Sequence, residues 1–337
     1  MAHERTSSST SGTTGASKSM ELLTTAGSGP RRVLVTGARG FIGRHLVDRL
    51  VTAGVEVHAT TRSAPPRQTG VRWSQVDLSD PEATAEVVGR SQPDVIVHLA
   101  SRAEGGRGLE LAVPMIHANL LSAVNVMIAG AAVPGCRLVL TGSAEEHSNF
   151  GSVRGARSPY AASKGAATTF ATLFHDLADL PVVVLRLALV YGPDDPNRKR
   201  LVPYVIDSLL RGVPPRLSSG RRRIDWVFID DVIDAVLAAA TEPAALGRVL
   251  DVGSGTLVSI RDAASIIADV IGSEVPPAFG EVPDRLGDHD LVADPDLARR
   301  LLGWSARTDL RTGIERTVAW HLGRGNESRP VGRPASA

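Results

Sequence analysis

Five short apolar runs, at residues 33–35, 55–59, 95–99, 138–140 and 182–187, are rich in β-branched side chains and do not alternate with polar ones. Unbroken apolarity over so few residues marks strands buried on both faces, as in a parallel sheet. Between these runs lie amphipathic segments of helical length at 42–53, 81–89, 113–132 and 159–179. Repeated strand–helix alternation predicts a doubly wound α/β fold with right-handed crossovers, and such a sheet takes its ligands beyond the carboxyl ends of its strands.

After residue 187 the alternation stops. A loop at 191–196 precedes a helical stretch at 202–211 and a second loop at 214–220, and amphipathic segments follow at 231–240, 260–271, 294–302 and 310–321, interrupted by Pro and Gly around 272–290. Residues 30–190 are therefore expected to form the sheet domain. Residues 191–322 are expected to form mainly a smaller C-terminal lobe over the sheet's ligand edge, with some segments returning to the sheet. The Ser/Thr/Gly-rich stretch 1–29 and the stretch 323–337 have too little apolar surface to order themselves and are expected to be disordered tails.

The 337 residues carry 22% charged and 43% hydrophobic side chains with a formal net charge of +1, which offers no signal for nucleic acid or a membrane surface and leaves small molecules as the expected partners. A single cysteine, Cys136, excludes an internal disulfide, and no Cys or His spacing suggests a metal site. No apolar run reaches the length of a bilayer span and the N-terminus lacks an apolar signal core, so a soluble protein in a reducing cytoplasm is expected.

Candidate chemistry begins at the first strand, where Thr36-Gly37-Ala38-Arg39-Gly40-Phe41-Ile42-Gly43 puts three glycines at a strand-to-helix junction. Gly37 permits the tight turn, Gly40 lets main-chain N–H groups approach a pyrophosphate at the helix N-terminus, and Gly43 allows close helix-on-strand packing. The spacing, Gly-x-x-Gly-x-x-Gly, differs from the Gly-x-Gly-x-x-Gly fingerprint, but its place makes this a Rossmann-type dinucleotide site. An acid at the end of the second strand would bond a ribose 2′-hydroxyl and repel a 2′-phosphate. Thr60-Thr61-Arg62 has no acid there, and Arg62 with Arg39 can clamp a phosphate, so NADP(H) is expected over NAD(H). Asp77 is placed to accept from an adenine amino group or to close a turn.

Tyr160 and Lys164, at i and i+4 of a helix opening at Ser158-Pro159, share one face. The chain holds three tyrosines and only three lysines, Lys18, Lys164 and Lys199, which makes the pairing hard to ascribe to chance. An ammonium beside a phenol is expected to lower the phenol pKa and ease proton exchange near neutrality. Ser143 follows the strand at 138–141, where its hydroxyl would emerge at the carboxyl edge within reach of a substrate carbonyl.

Together these features resemble the extended short-chain dehydrogenase/reductase family, in its nucleotide-sugar epimerase/dehydratase/reductase branch. Further likeness lies in His98-Leu99-Ala100, in Asn119, in Leu185-Arg186-Leu187 followed by Tyr191-Gly192-Pro193, in 224–232, and in Leu302-Gly303-Trp304. The resemblance implies that Ser143 and Tyr160 act on the reacting oxygen and that Lys164 binds the nicotinamide ribose. It implies a cofactor groove from Gly37, Arg39, Gly40, Phe41, Ile42, Gly43, Arg62, Asp77, Leu78, Leu99, Ala100, Ser101, Asn119, Thr141, Lys164 and Leu187. On the substrate side it implies Arg102, Glu145, Arg186, Tyr191 and Arg223, and a homodimer joined through the helices at 113–132 and 159–179.

The segment Thr141-Gly142-Ser143-Ala144-Glu145-Glu146-His147-Ser148 resembles the Gly-Ser-Ser-Glu-Glu-Tyr-Gly of GDP-4-keto-6-deoxymannose reductases more than the Ser-Thr-Asp-Glu-x-Tyr-Gly of dTDP-glucose 4,6-dehydratases. Ala144 stands where that dehydratase carries the acid that protonates a departing hydroxyl. Glu145 keeps the position of the dehydratase base, which leaves a GDP-mannose-type dehydratase open. His147 and Ser148 depart from Tyr-Gly. Ile224 stands where many UDP-sugar enzymes have a phosphate-binding Arg, a charge that Arg221, Arg222 or Arg223 could supply. The expected activity is reduction of a nucleotide-linked 4-keto-6-deoxy-sugar or related specialised metabolite, with epimerisation as the alternative.

Overall fold

The computed structural model describes residues 30–147, 156–284 and 289–327. Seven strands form one sheet: β1 (Arg32–Thr36), β2 (Glu56–Thr61), β3 (Val71–Gln75), β4 (Val95–His98), β5 (Arg137–Ser143), β6 (Val182–Leu187) and β10 (Val249–Val252). Their order is β3-β2-β1-β4-β5-β6-β10, and every neighbouring pair is parallel. Parallel pairing forces a crossover after each strand, and the crossovers carry the helices that cover both faces.

Side-chain alternation along the strands divides the core into two layers. Val33, Val35, Val57, Val97 and Val139 pack against α1 (Phe41–Thr52) and α6 (Ile229–Thr241). Leu34, Ile96, Leu138, Leu140 and Val184 pack against α2 (Pro81–Ser91), the helical stretch α3 (Leu109–Ala131) and α4 (Pro159–Ala178). Local chemistry sets where these helices start. Asp80 caps α2 by accepting from Glu82 N and Ala83 N, and Ser158 caps α4 by accepting from Ala161 N, each with Pro at the first helical position.

Helix α3 has 23 residues and holds an 18-residue window with a mean hydropathy of 1.6, long and apolar enough to cross a membrane, which corrects the expectation that no segment reaches that length. Polar residues at Glu110, His117, Asn119 and Asn125 hide the run in the sequence. In the fold Met115, Val126 and Met127 are fully buried, and buried Asn125 donates to the carbonyl of Leu78 at 3.0 Å, so α3 serves as a core helix of the layer.

Past β6 the chain crosses a single residue, Ala188, and enters β7 (Leu189–Tyr191) of a separate three-stranded sheet, with β9 (Arg223–Phe228) and β11 (Leu257–Ser259). β8 (Arg216–Leu217) pairs with β12 (Ala278–Phe279). Between these strands lie α5 (Leu201–Leu210) and α7 (Ile260–Ile271), and after them α8 (Asp296–Leu302) and α9 (Leu310–Glu327). Helix α9 extends into the segment expected to be a tail from residue 323, and the stretch 1–29 lies outside the described residues. Buried Asp225 of β9 joins the small sheet to its surroundings by accepting from Ser254 N, Gly255 N and Ala293 N at 2.8, 2.9 and 3.1 Å.

Candidate active site

The carboxyl ends of β1 and β4 meet at the first glycine. Gly37 has φ +66°, and a Cβ there would lie 2.6 Å from Ala100 N and 2.7 Å from the carbonyl carbon of Leu99. Thr36 fixes this contact, its hydroxyl oxygen accepting from Leu99 N and Ala100 N at 3.2 Å each and pairing with His98 Nδ1 at 2.9 Å. Gly43 is needed for packing, since its Cβ would lie 2.3 Å from the carbonyl oxygen of Gly37. Gly40 occupies the N-cap of α1 and no side chain caps that end, which leaves the first-turn N–H groups facing the glycine turn. A pyrophosphate fits that donor set. Any contact from Phe41 is therefore from its main chain, because its side chain is buried in the core, and Ile42 packs against the same core.

At the end of β2 no carboxylate appears. The Arg39 guanidinium crosses from the glycine turn to Ser63 Oγ (2.5 Å) and the carbonyl of Ala64 (3.2 Å). Arg62 is exposed and lies within electrostatic reach of Asp77. Asp77 accepts from both the N–H and the hydroxyl of Ser79, bonds that hold its carboxyl below the usual range. This is the turn role, with one carboxylate oxygen engaged.

Ser143, the last residue of β5, is buried, and its hydroxyl oxygen accepts from Glu145 N at 3.2 Å. Tyr160, in the first turn of α4, places its phenol near enough to the Ser143 hydroxyl for that hydroxyl to favour the phenolate. Lys164, one turn on, is buried, and its ammonium donates to the carbonyl of Thr141. Strand end and helix thus bring serine, tyrosine and lysine together.

Burial, then the nearby Glu145 carboxylate, push the Tyr160 phenol up to about 12 against the effect of the Ser143 hydroxyl. Lys164 is lowered to about 8 by burial, with Glu146 acting in the opposite sense. The expectation that Lys164 would lower the phenol is therefore corrected. The ammonium is turned toward Thr141, and the dominant charge at the phenol is negative.

Several expected ligand residues are engaged elsewhere. Tyr191 is buried, stacked edge-on against Trp226 and Phe228, with its hydroxyl directed at the carbonyls of Asp309 and Leu310, so it is a core residue and no substrate contact. Asn119 lies in a π-helical turn, Ile116–Leu121. Its side chain accepts from Ser101 Oγ and Arg102 N and donates to the Arg102 carbonyl and Ser163 Oγ, so the amide group is fully engaged within the protein. Leu78 and Leu187 are buried in the core, and the Thr141 hydroxyl donates to the carbonyl of His98. Arg102 pairs with Glu104, Arg223 with Asp290, and Arg186 with buried Asp251 of β10 at 2.7 Å. Ser148 lies outside the described residues.

Two residues escaped the sequence reading. Glu146, not Glu145, turns its carboxylate back beneath Ser143. Arg200 bonds buried Asp195, sits 5.9 Å from the Phe41 ring centre and reaches Tyr160 electrostatically. Only the basic run Arg198-Lys199-Arg200 marks it in the sequence.

The chain matches the model of the NAD dependent epimerase/dehydratase family over residues 33–253 and belongs to that family, a branch of the extended short-chain dehydrogenases/reductases. It is thus an enzyme of the nicotinamide-dinucleotide-dependent oxidoreductase type. Among characterised relatives, it is 32% identical to UDP-glucose 4-epimerase of Mycolicibacterium smegmatis over 315 residues, covering 85% of this chain and 97% of the relative. It is 28% identical over 312 residues to dTDP-glucose 4,6-dehydratase of Streptomyces griseus, covering 86% and 93%. The solved structure of UDP-glucose 4-epimerase from Thermus thermophilus in complex with NAD superposes with a TM-score of 0.77 at 28% identity, covering 87% of this chain and 99% of that one.

Proposed function

We propose that the protein is an NADP(H)-dependent ketoreductase acting on a nucleotide-activated 4-keto-6-deoxy-sugar or a related specialised metabolite. The observation that carries the reading is a half-buried phenol kept protonated at neutral pH beside the buried Ser143 hydroxyl, at the carboxyl edge of the sheet. A carbonyl becomes an alcohol by gaining hydride at carbon and a proton at oxygen. Bound nicotinamide supplies the hydride. Ser143 hydrogen-bonds the carbonyl oxygen and Tyr160 gives it the proton, becoming a phenolate that solvent reprotonates. The Lys164 ammonium, held by the Thr141 carbonyl, binds the nicotinamide ribose. Ala144 offers no acid to expel water, so the substrate keeps its hydroxyls.

Lys164 is a cation only below its pKa of about 8, so kcat/KM for reduction is expected to be level near neutrality and to fall tenfold per unit above about pH 8. A pH–rate profile checks this, and the residual activity of Lys164→Arg, whose guanidinium does not titrate below about pH 12, lacks the limb.

NADP preference rests on Arg39 and Arg62 with no acid at the end of β2. Replacing both by Ala is expected to weaken NADPH binding by tenfold or more, about 1.4 kcal/mol, and to leave NADH binding within twofold. Fluorescence titration with the two cofactors reads the difference.

The deciding experiment incubates the protein with NADPH and a panel of nucleotide 4-keto-sugars and aromatic polyketide ketones, following loss of reduced-nicotinamide absorbance. No turnover on any of them would overturn the reading. The Mycolicibacterium smegmatis relative favours a second reading, a nucleotide-sugar epimerase that retains its nicotinamide and returns the hydride to the same sugar. Such a protein converts UDP-glucose to its C4 epimer without added cofactor. The enzyme is proposed to work in the cytoplasm as a homodimer, supported by apolar residues left exposed on α3 and α4, among them Val113, Ile116, Leu173 and Leu177.

A further inference from the structure

Glu146 lies outside the serine–tyrosine–lysine set, yet its carboxylate joins the two elements that carry that set. One oxygen accepts from the main-chain N–H of Ser143 at 2.6 Å, and the other accepts from the hydroxyl of Thr168 on α4 at 2.7 Å. Both oxygens act as acceptors, and these bonds favour the ionised form against burial, which pushes the carboxyl above its ordinary value. The backbone leaves room for the side chain. A Cβ on Gly142 of β5 would lie 2.6 Å from a Glu146 carboxylate oxygen, and one on Gly165 of α4 would lie 3.8 Å from its Cγ. The charged groups around it are Lys164 of α4 and Arg186 of β6, with the Tyr160 phenol also within its field.

We propose that Glu146 is a positioning residue that clamps the Ser143 end of β5 to helix α4 and sets the distance between the serine hydroxyl and the Tyr160–Lys164 pair. Ser143 is the terminal residue of its strand and has lost the ladder beyond it, so its main chain needs a partner to hold the hydroxyl toward Tyr160. Glu146 supplies that partner. Its other oxygen is fixed one turn beyond Lys164, so a shift of α4 carries Ser143 with it. The negative charge also favours the ammonium of Lys164, coupling the clamp to the charge of the site.

This inference rests on the catalytic reading of Ser143, Tyr160 and Lys164, and the test separates the two. Each variant is assayed on whichever reaction the unmodified protein performs, reduction or epimerisation, so failure of the ketoreductase reading leaves the comparison intact. Glu146→Ala is expected to lower kcat by about 30- to 100-fold, the scale of an ångström-sized misplacement, with KM and NADPH affinity within twofold. Glu146→Gln can still accept from Ser143 and donate to Thr168, and is expected to recover at least tenfold of that loss. Its alkaline pH limb moves below that of the unmodified protein, because Lys164 has lost a favourable neighbour. Should Glu146→Ala fail to fold, Thr168→Val severs only the α4 end of the clamp and is expected to cost three- to tenfold in kcat. Unchanged kcat in the folded Ala or Val variant overturns the proposal, as does a Gln variant with no recovery and an unmoved pH limb.

Discussion

Tyr160→Phe is expected to lower kcat for ketone reduction by about 10³-fold while NADPH binding and thermal stability stay near those of the unmodified protein. The substitution removes one hydroxyl from a half-buried ring whose polar contact is the Ser143 hydroxyl, so the helix and its packing have little to lose. What is lost is the acid. A phenol at about 12 is protonated throughout the physiological range and is directed at the edge where the sheet ends. Neither Lys164 nor Glu146 replaces it, because Lys164 is committed to the Thr141 carbonyl and Glu146 to Ser143 and Thr168. Steady-state rates beside a fluorescence titration of NADPH check the prediction, and a Phe variant that retains a tenth of the rate would remove Tyr160 from the role of proton donor.

The second large effect belongs to Gly37. Gly37→Ala places a methyl 2.6 Å from Ala100 N and 2.7 Å from the carbonyl carbon of Leu99, against main chain that Thr36 holds by two hydrogen bonds. It also puts an L side chain at φ +66°, which alone costs about 1–2 kcal/mol. The ends of β1 and β4 must separate, and the expected loss is about 3 kcal/mol or more, roughly 4 °C in Tm for a chain of this size, together with loss of measurable NADPH binding. Gly54→Ala is the control. Its φ of +75° carries the same backbone cost, but nothing lies within 4 Å of the added carbon, so cofactor affinity is expected to be unchanged. Thermal denaturation and NADPH titration of the two variants separate the collision from the strain.

The main sheet was legible because strands such as β4 and β6, buried on both faces, read as unbroken apolar runs and can be little else. The small sheets were not. β8 and β12 have two residues each, and β7 follows β6 after a single residue, so their pairing is decided by partners distant in the chain. Tyr191 looked like a pocket residue because a Gly-Pro turn follows it, whereas β9 and α9 close over it. The candidate catalytic pair could be brought together from spacing, since Tyr160 and Lys164 sit on one regular helix. Glu145 and Glu146 could not be told apart, because the choice depends on how a short 3₁₀ turn, Ala144–His147, rotates one of them under the strand. Arg186 and Asn119 were polar residues in the right neighbourhood. Their partners, Asp251 at a separation of 65 residues and Ser163 at 44, exist only once the chain has folded.

The return of β10 to the main sheet bears on how this enzyme can be rebuilt. The chain leaves the sheet at Leu187, makes β7 to β9, lays α6 against the sheet, and then inserts β10 beside β6, where Asp251 receives Arg186. The smaller sheets and the main sheet are therefore interleaved along the gene, with no single junction between them. A chimera that exchanged everything after Tyr191 for the corresponding half of a relative would also replace one strand and one covering helix, leaving Arg186 opposite a foreign partner. Exchanging specificity calls for two separate grafts, one ending before Ile229 and one beginning after Val252, so that the seventh strand stays with the sheet it completes.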